Sequence, residues 1–416
     1  MTQTPGRIPP QFWSTPAVAA ALAECDLPAV LAEIRRSQGW TQGQLAEAVG
    51  YSQSWVSKVL RGRQPLTVDQ VREISSRIGV PLHLLRFGAR GDDDPTKRRD
   101  FGKAVALTAL AGVALPKRAE VDETTAPTLT SITGAQRRLE ASTPSRELAR
   151  GAVAHVELAS RILGRAHPEI ANDIRAGLSE AAGFAAWVHV DMQDAGTART
   201  YYRLAIDGAR QAGHSLLAAY MIGSLAAFEI DAEEPALALD LLGRARRELG
   251  EQPPATARAW LSSIEALGYA TAHDAGSART ALRIAEAAVS ASERATAPPW
   301  PWVFPFDHAK LAGYRALVMV RLGQAEEAES AFAESLSSAQ PAAKQRGVLM
   351  TEIAAVKVMS GQPDEAFKLA ANALTLGISY GSERVIHRVR RFRRRYDGPM
   401  IVSVRAFDER LRATLL

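Results

Sequence analysis

The chain has 416 residues and a formal charge of +5, and 47% of it is hydrophobic, enough apolar material for two or three domains folding without covalent staples. A single cysteine, Cys25, excludes an internal disulfide framework and leaves no thiol partner for a zinc or iron–sulfur site, as expected in a reducing cytosol. No apolar run approaches the roughly 20 residues that span a bilayer, and the polar, proline-containing start is not read as a signal peptide, so a cytoplasmic chain with no membrane partner is expected.

In chain order, residues 1–24 form an N-terminal extension in which Phe12 and Trp13 are expected to pack on the adjoining helices, with Asp26 capping the next of these. Val30, Leu31 and Ile34 then give one apolar helical face, closed by Gly39. Thr41 caps a second helix lined by Leu45, Ala46 and Val49. Gly50 supplies a tight turn, and Ser52 caps a third helix carrying Val56, Val59 and Leu60, which ends at Gly62. A fourth helix is expected over residues 67–78 and a short fifth after Pro81. Five short helices of this kind suit a helix-turn-helix domain, whose second motif helix enters the DNA major groove.

The segment TQGQLAEAVGYSQSWVSKVLRGR resembles the bacterial XRE-type helix-turn-helix, the family of the phage repressors, and the match spans about 60 residues within 25–90. That resemblance implies that Gln42 and Gln53 cooperate on a phosphate and an adenine edge and that Ser54 reaches a base. Trp55 stands where the family often has a small residue and is assigned to a thymine methyl or the sugar backbone; Ser52 and Ser57 complete the reading set. Charge agrees independently. Residues 28–90 carry nine Arg or Lys against four acids, an excess equal to that of the whole chain, and Lys58, Arg61 and Arg63 flank the recognition helix, where they neutralise phosphates. Double-stranded DNA is the expected partner.

Residues 91–138 read as a linker. Within it, Arg98 and Arg99 followed by the 12-residue apolar run 104–115 resemble a twin-arginine export motif. Behind a DNA-binding domain an export signal has no use, and the run is taken as an apolar helix that packs in cis or as a dimer contact. Residues 120–130, rich in Thr with Pro127, read as a flexible connector.

Over residues 139–382 one signature recurs: Ala198/Tyr202/Ala205, Ala238/Leu242/Ala245, Ala278/Leu282/Ala285, Ala328/Phe332/Ser335 and Ala366/Ala370/Ala373, at offsets of 40, 40, 50 and 38 residues. Small residues at this spacing let helices approach closely, and the period means stacked helix pairs, a solenoid resembling long tetratricopeptide (TPR) repeats. The longest offset holds an insertion, ATAPPWPWVFPFDH, whose Trp300, Trp302, Phe304 and Phe306 are candidate ligand contacts or groove-filling aromatics. Residues 383–416 are basic capping helices. Val385, Val389, Phe392 and Tyr396 form one stripe, and Arg384, Arg388, Arg391 and Arg395 belong to a face expected to be solvated, with phosphate contact or docking onto an acidic partner as the alternative.

No metal-ligand spacing, phosphate loop or nucleophile elbow appears, so neither cofactor nor enzymatic activity is expected, and His155, His189, His214 and His273 read as polar residues on repeat helices. The expected protein is all-α, a helix-turn-helix domain followed by a TPR-like α-solenoid. By resemblance it is a dimeric transcriptional regulator on palindromic DNA, its repeats sensing a peptide, small molecule or protein partner. The rival reading is a TPR interaction scaffold with auxiliary DNA binding.

Overall fold

A computed structural model describes residues 8–9, 12–13, 15–23, 26–64, 66, 68–80, 85, 121–292, 306–337 and 341–414. Cys25, the twin-arginine stretch with its apolar run, and Trp300, Trp302 and Phe304 lie outside them. The described residues form nineteen helices and no strand. By contacts the chain divides into two compact units, Met1–Thr133 with Ala149–Gly208, and Gly134–Leu148 with Ala209–Leu416.

The first unit opens with α1 (Pro16–Ala23), α2 (Leu27–Ser37), α3 (Gln42–Val49), α4 (Gln53–Leu60) and α5 (Val68–Ile78). Their apolar faces close one core, in which Val18 and Leu22 of α1 join Leu27, Leu31, Ile34, Leu45, Val56 and Ile74, with Phe12, Trp13 and Leu85 around it. The caps are those the sequence indicates. The Asp26 carboxylate accepts from the Ala29 amide at 3.0 Å, and Thr41 and Gln44 form a reciprocal capping box. Ser52 accepts from the Trp55 amide at 3.2 Å. Gly50 takes a left-handed conformation (φ +75°), and an added Cβ there would meet the Arg77 guanidinium, 1.7 Å from Nη1. Arg77 is held by Glu73 at 2.9 Å, and Glu73 also accepts from the Tyr51 hydroxyl at 3.1 Å. This network fixes the turn between α3 and α4.

Next come α6 (Thr125–Glu140), α7 (Ser145–Leu163), α8 (Pro168–Asp191) and α9 (Ala195–Gln211). The connector expected over residues 120–130 is instead the entry to α6. Asp122 Oδ1 accepts from the Thr124 amide at 3.0 Å and from the Thr124 and Thr125 hydroxyls at 2.7 and 3.1 Å, Pro127 falls in the first turn where its missing N–H costs nothing, and Ala126, Leu129 and Thr133 are buried. His155 of α7 is buried too, its Nε2 3.1 Å from both the Leu129 carbonyl and the Thr133 hydroxyl. Burial depresses its pKa, so the ring is neutral and donates from Nε2.

The second unit stacks hairpins: α10 (Ser215–Asp231) with α11 (Pro235–Leu249), α12 (Ala255–Thr271) with α13 (Ala275–Ser292), α14 (His308–Arg321) with α15 (Ala325–Leu336), and α16 (Ala343–Met359) with α17 (Pro363–Ser379). The small residues of the recurring signature, Ala238, Ala245, Ala278, Ala285, Ala328, Ala366, Ala370 and Ala373, are all fully buried on the second helix of each pair. Close approach shows at Gly223 of α10, where a Cβ would lie 2.6 Å from the Trp260 ring. A left-handed residue sits at each hairpin turn: Gln193 (φ +59°) between α8 and α9, then Glu233 (+64°), His273 (+62°), Gly323 (+73°) and Gly361 (+72°). These positions are separated by the same 40, 40, 50 and 38 residues as the alanine signature.

Two last helices, α18 (Glu383–Arg395) and α19 (Val402–Ala413), close the unit. Phe367 of α17 anchors them, with Phe392, Tyr396 and Phe407 ring centroids 4.9 to 5.3 Å away. The arginine face of α18 is not wholly solvated as expected. Arg384 and Arg388 are buried, and Arg388 finds its carboxylate partners far back in the chain.

Candidate functional site

On α3 and α4 the apolar residues point inward and leave one polar face. Ser52, Gln53, Ser54, Lys58, Arg61 and Arg63 are exposed, while Gln42 and Ser57 are half-buried. The side chain of Gln53 reaches back beside the start of α3, its Oε1 3.8 Å from where a Cβ on Gly43 would stand. Gln42 and Gln53 thus belong to neighbouring helix starts, each opening directly after its cap, Thr41 or Ser52. Trp55 is half-buried and stacks on Tyr51, ring centroids 4.0 Å apart at 18°. The indole therefore packs on the helix-turn-helix core.

This face combines amide donors and acceptors, the groups that pair with base edges, with flanking cations suited to phosphates. No carboxylate stands on α4.

Away from that face, the domain is tied to the first repeat hairpin within the same unit. Arg203 of α9 pairs with Asp26, the cap of α2. Arg72 of α5 reaches Asp194 at 3.5 Å and the Thr197 hydroxyl at 3.4 Å, at the turn leading into α9. Sequence reasoning missed these pairs, since Arg203 is 177 residues from Asp26 and Thr197 is 125 from Arg72.

In the second unit a cavity of about 530 Å³ opens among the C-terminal ends of α10, α12 and α14, the outer half of α16 and the basic face of α18. Four arginines (321, 388, 391 and 395) and two glutamates (233 and 352) line it, with Ile230, Val320, Val358, Met359 and Phe392 forming apolar walls. Glu352 is buried between Arg321, at 2.8 Å, and Arg388. Burial pushes its carboxyl up, but the two guanidiniums outweigh this and hold it at about 2. Arg388 also pairs with Asp231. Of the histidines, His273 lies in a turn and lines the cavity, and His214 caps α10, accepting from the Leu217 amide at 3.4 Å. Neither is simply a polar residue on a repeat helix.

Of the expected ligand aromatics only Phe306 is described; it is buried, its ring 5.8 Å from that of Tyr314. No group of side chains among the described residues is arranged to hold a metal ion, and no helix among them is long and apolar enough to cross a membrane.

Residues 26–87 match the family model described as Helix-turn-helix domain. No curated protein and no solved structure matches the chain. The family match coincides with the domain carrying the exposed α4 face. It does not extend into the helical repeats.

Proposed function

We propose that this protein is a transcriptional regulator of the XRE type, in which α4 reads a double-stranded DNA site while a TPR-like body senses an effector. The observation that carries the reading is the exposed Gln53, Ser54, Lys58, Arg61 and Arg63 face, free of carboxylates on α4, within a segment that matches the helix-turn-helix family. Gln53 is assigned to an adenine edge and Ser54 to a neighbouring base, with Gln42, Ser52, Ser57 and Trp55 completing the contact surface and Lys58, Arg61 and Arg63 on phosphates. A homodimer on a palindromic site is part of the proposal, as is cytoplasmic action. The ties from Asp26 and Arg72 to the α8–α9 hairpin supply a physical link between DNA-binding domain and repeats, so an effector binding the two arrangements of the body unequally changes DNA affinity by that difference. Trp300, Trp302 and Phe304 stay candidates for effector contact or for filling the groove between repeats, while Phe306 is buried against Tyr314.

Selection of bound sequences from a random duplex pool tests this. Wild type should enrich one palindromic site, and Gln53→Ala should relax preference at one base pair by about 1–3 kcal/mol. Arg61→Ala should instead weaken all sequences alike and lower the salt slope by about 1. Binding driven by salt alone, with no enriched sequence, would favour the scaffold reading.

A further inference from the structure

Charge is unevenly matched in the cavity of the second unit. Glu352 is satisfied by Arg321 and Arg388, and Asp231 by Arg388. That leaves Arg391 and Arg395, which share a single carboxylate, Glu233. Arg391 donates to the Asp231 carbonyl at 3.0 Å and lies 3.3 Å from Glu233 Oε1; its side chain is only 15% exposed, whereas that of Glu233 is 50% exposed. Burial, then the Arg388 charge beside it, depress the Arg391 guanidinium, as expected of a cation lacking a full counter-charge. Beside these arginines the cavity also has apolar lining, Val320, Val358, Met359 and Phe392. Volume, polarity split and a few convergent donors are those of a small-molecule site, for which roughly 300–1,000 Å³ is usual.

Glu233 holds its place from the turn position that recurs in every hairpin. It is the left-handed residue of the α10–α11 turn, where φ is +64°. The same conformation recurs at Gln193 and His273, so it belongs to the repeat and fixes where the Glu233 carboxylate stands. We propose that the Glu233 carboxylate is an internal stand-in for a ligand anion, and that the cavity binds a small amphiphile whose one anionic head, carboxylate or phosphate, takes the Arg391–Arg395 fork while its apolar body lies against Val320, Val358, Met359 and Phe392. Guanidinium suits either head because it presents paired donors to two oxygens. This rests on the reading of the repeats as an effector-sensing body and narrows the effector to one chemical class.

The test uses the full chain without DNA and the fluorescent anionic amphiphile 8-anilinonaphthalene-1-sulfonate as reporter. Decanoate and decyl phosphate should displace it competitively, the stronger identifying the head, whereas decan-1-ol and decyltrimethylammonium should not. Arg391→Gln should weaken decanoate tenfold or more. Arg395→Gln, at a side chain 60% exposed, should do the same in part and serves if the first variant fails to fold. Glu233→Gln should strengthen binding several-fold by removing the competing carboxylate, and Gln193 shows that glutamine adopts the same turn conformation in this chain. Weaker binding by Glu233→Gln, displacement by the cationic amphiphile, or indifference to both arginine variants would overturn the proposal. Displacement by inorganic phosphate as strong as by decyl phosphate would overturn the apolar half of it. Sequence selection on DNA is read separately: its success beside a failed displacement sinks only the ligand class, and the reverse sinks the regulator.

Discussion

Glu352 is buried between Arg321 and Arg388, and the importance of its charge lies in the two cations that its removal would strand. In Glu352→Gln, Arg321 would lose its ion-pair partner and Arg388 would keep only its pair with Asp231, both in a desolvated setting. Breaking one partner of a buried network costs about 3–5 kcal/mol, more than an exposed pair such as Arg36–Glu33 contributes. The urea midpoint of the variant should fall accordingly, while Glu33→Gln, a control on α2, should hardly move it. At this scale the two candidate sites differ in how readable they are. The placement of Gln42, Gln53 and Ser54 at neighbouring helix starts was legible because a short motif fixes their register within one turn and two caps. Arg388 was not: a helix with arginines every three or four residues has the same pattern whether they face water or buried carboxylates. The deciding partner, Asp231, is 157 residues away.

Among the elements, the hairpin turns carry the clearest regularity. The period of about 40 residues was legible in the alanines, since only small residues tolerate close helix contact. The left-handed turn residues in the same register were hidden, because Gln193, Glu233 and His273 are not the glycines that normally signal such a conformation. Gln193→Gly should relieve strain of about 1 kcal/mol, partly offset by the greater freedom of the unfolded chain. Thermal melting should therefore show an unchanged or slightly raised midpoint, against a clear drop for Gln193→Val. Gly223→Ala makes the opposite case: its Cβ would press to 2.6 Å from the Trp260 ring, and overpacking of this kind costs roughly 1–3 kcal/mol. The start of α6 was misread for a related reason. Thr and Pro mark connectors by composition, yet here Asp122 gathers the threonine hydroxyls into a cap and the proline falls where a first turn accepts it.

Taken whole, the molecule should lose stability to acid in two stages. Burial depresses His155, and burial followed by the neighbouring arginines depresses His387. Their folded pKa values lie below the ordinary 6.5, so the unfolded chain binds protons first and stability falls as pH drops below about 6.5. Glu352 contributes in a lower window. Its contribution is full above the ordinary 4.5 and is lost as pH falls from there toward about 2. Urea midpoints measured from pH 8 to 3 should show a first decline, reduced in His155→Gln, and a second, reduced in Glu352→Gln. The all-α class and the order of helix-turn-helix domain before repeats were legible from periodicity and breakers alone. The division into units that exchange parts of α6 and α7 was not, because it depends on contacts between segments that no local pattern connects.

The pairing of Arg388 with Asp231 has a consequence for the order in which the molecule is made. During synthesis α1–α5 emerge first, and their core closes without help from later sequence. Asp231 emerges long before α18, so any hairpin that closes early does so around a carboxylate whose guanidinium has yet to emerge. The cavity lacks its α18 wall until that helix has emerged. A protease cut between α17 and α18 would return the chain to that nascent condition, with α4 intact and the α18 wall of the cavity gone.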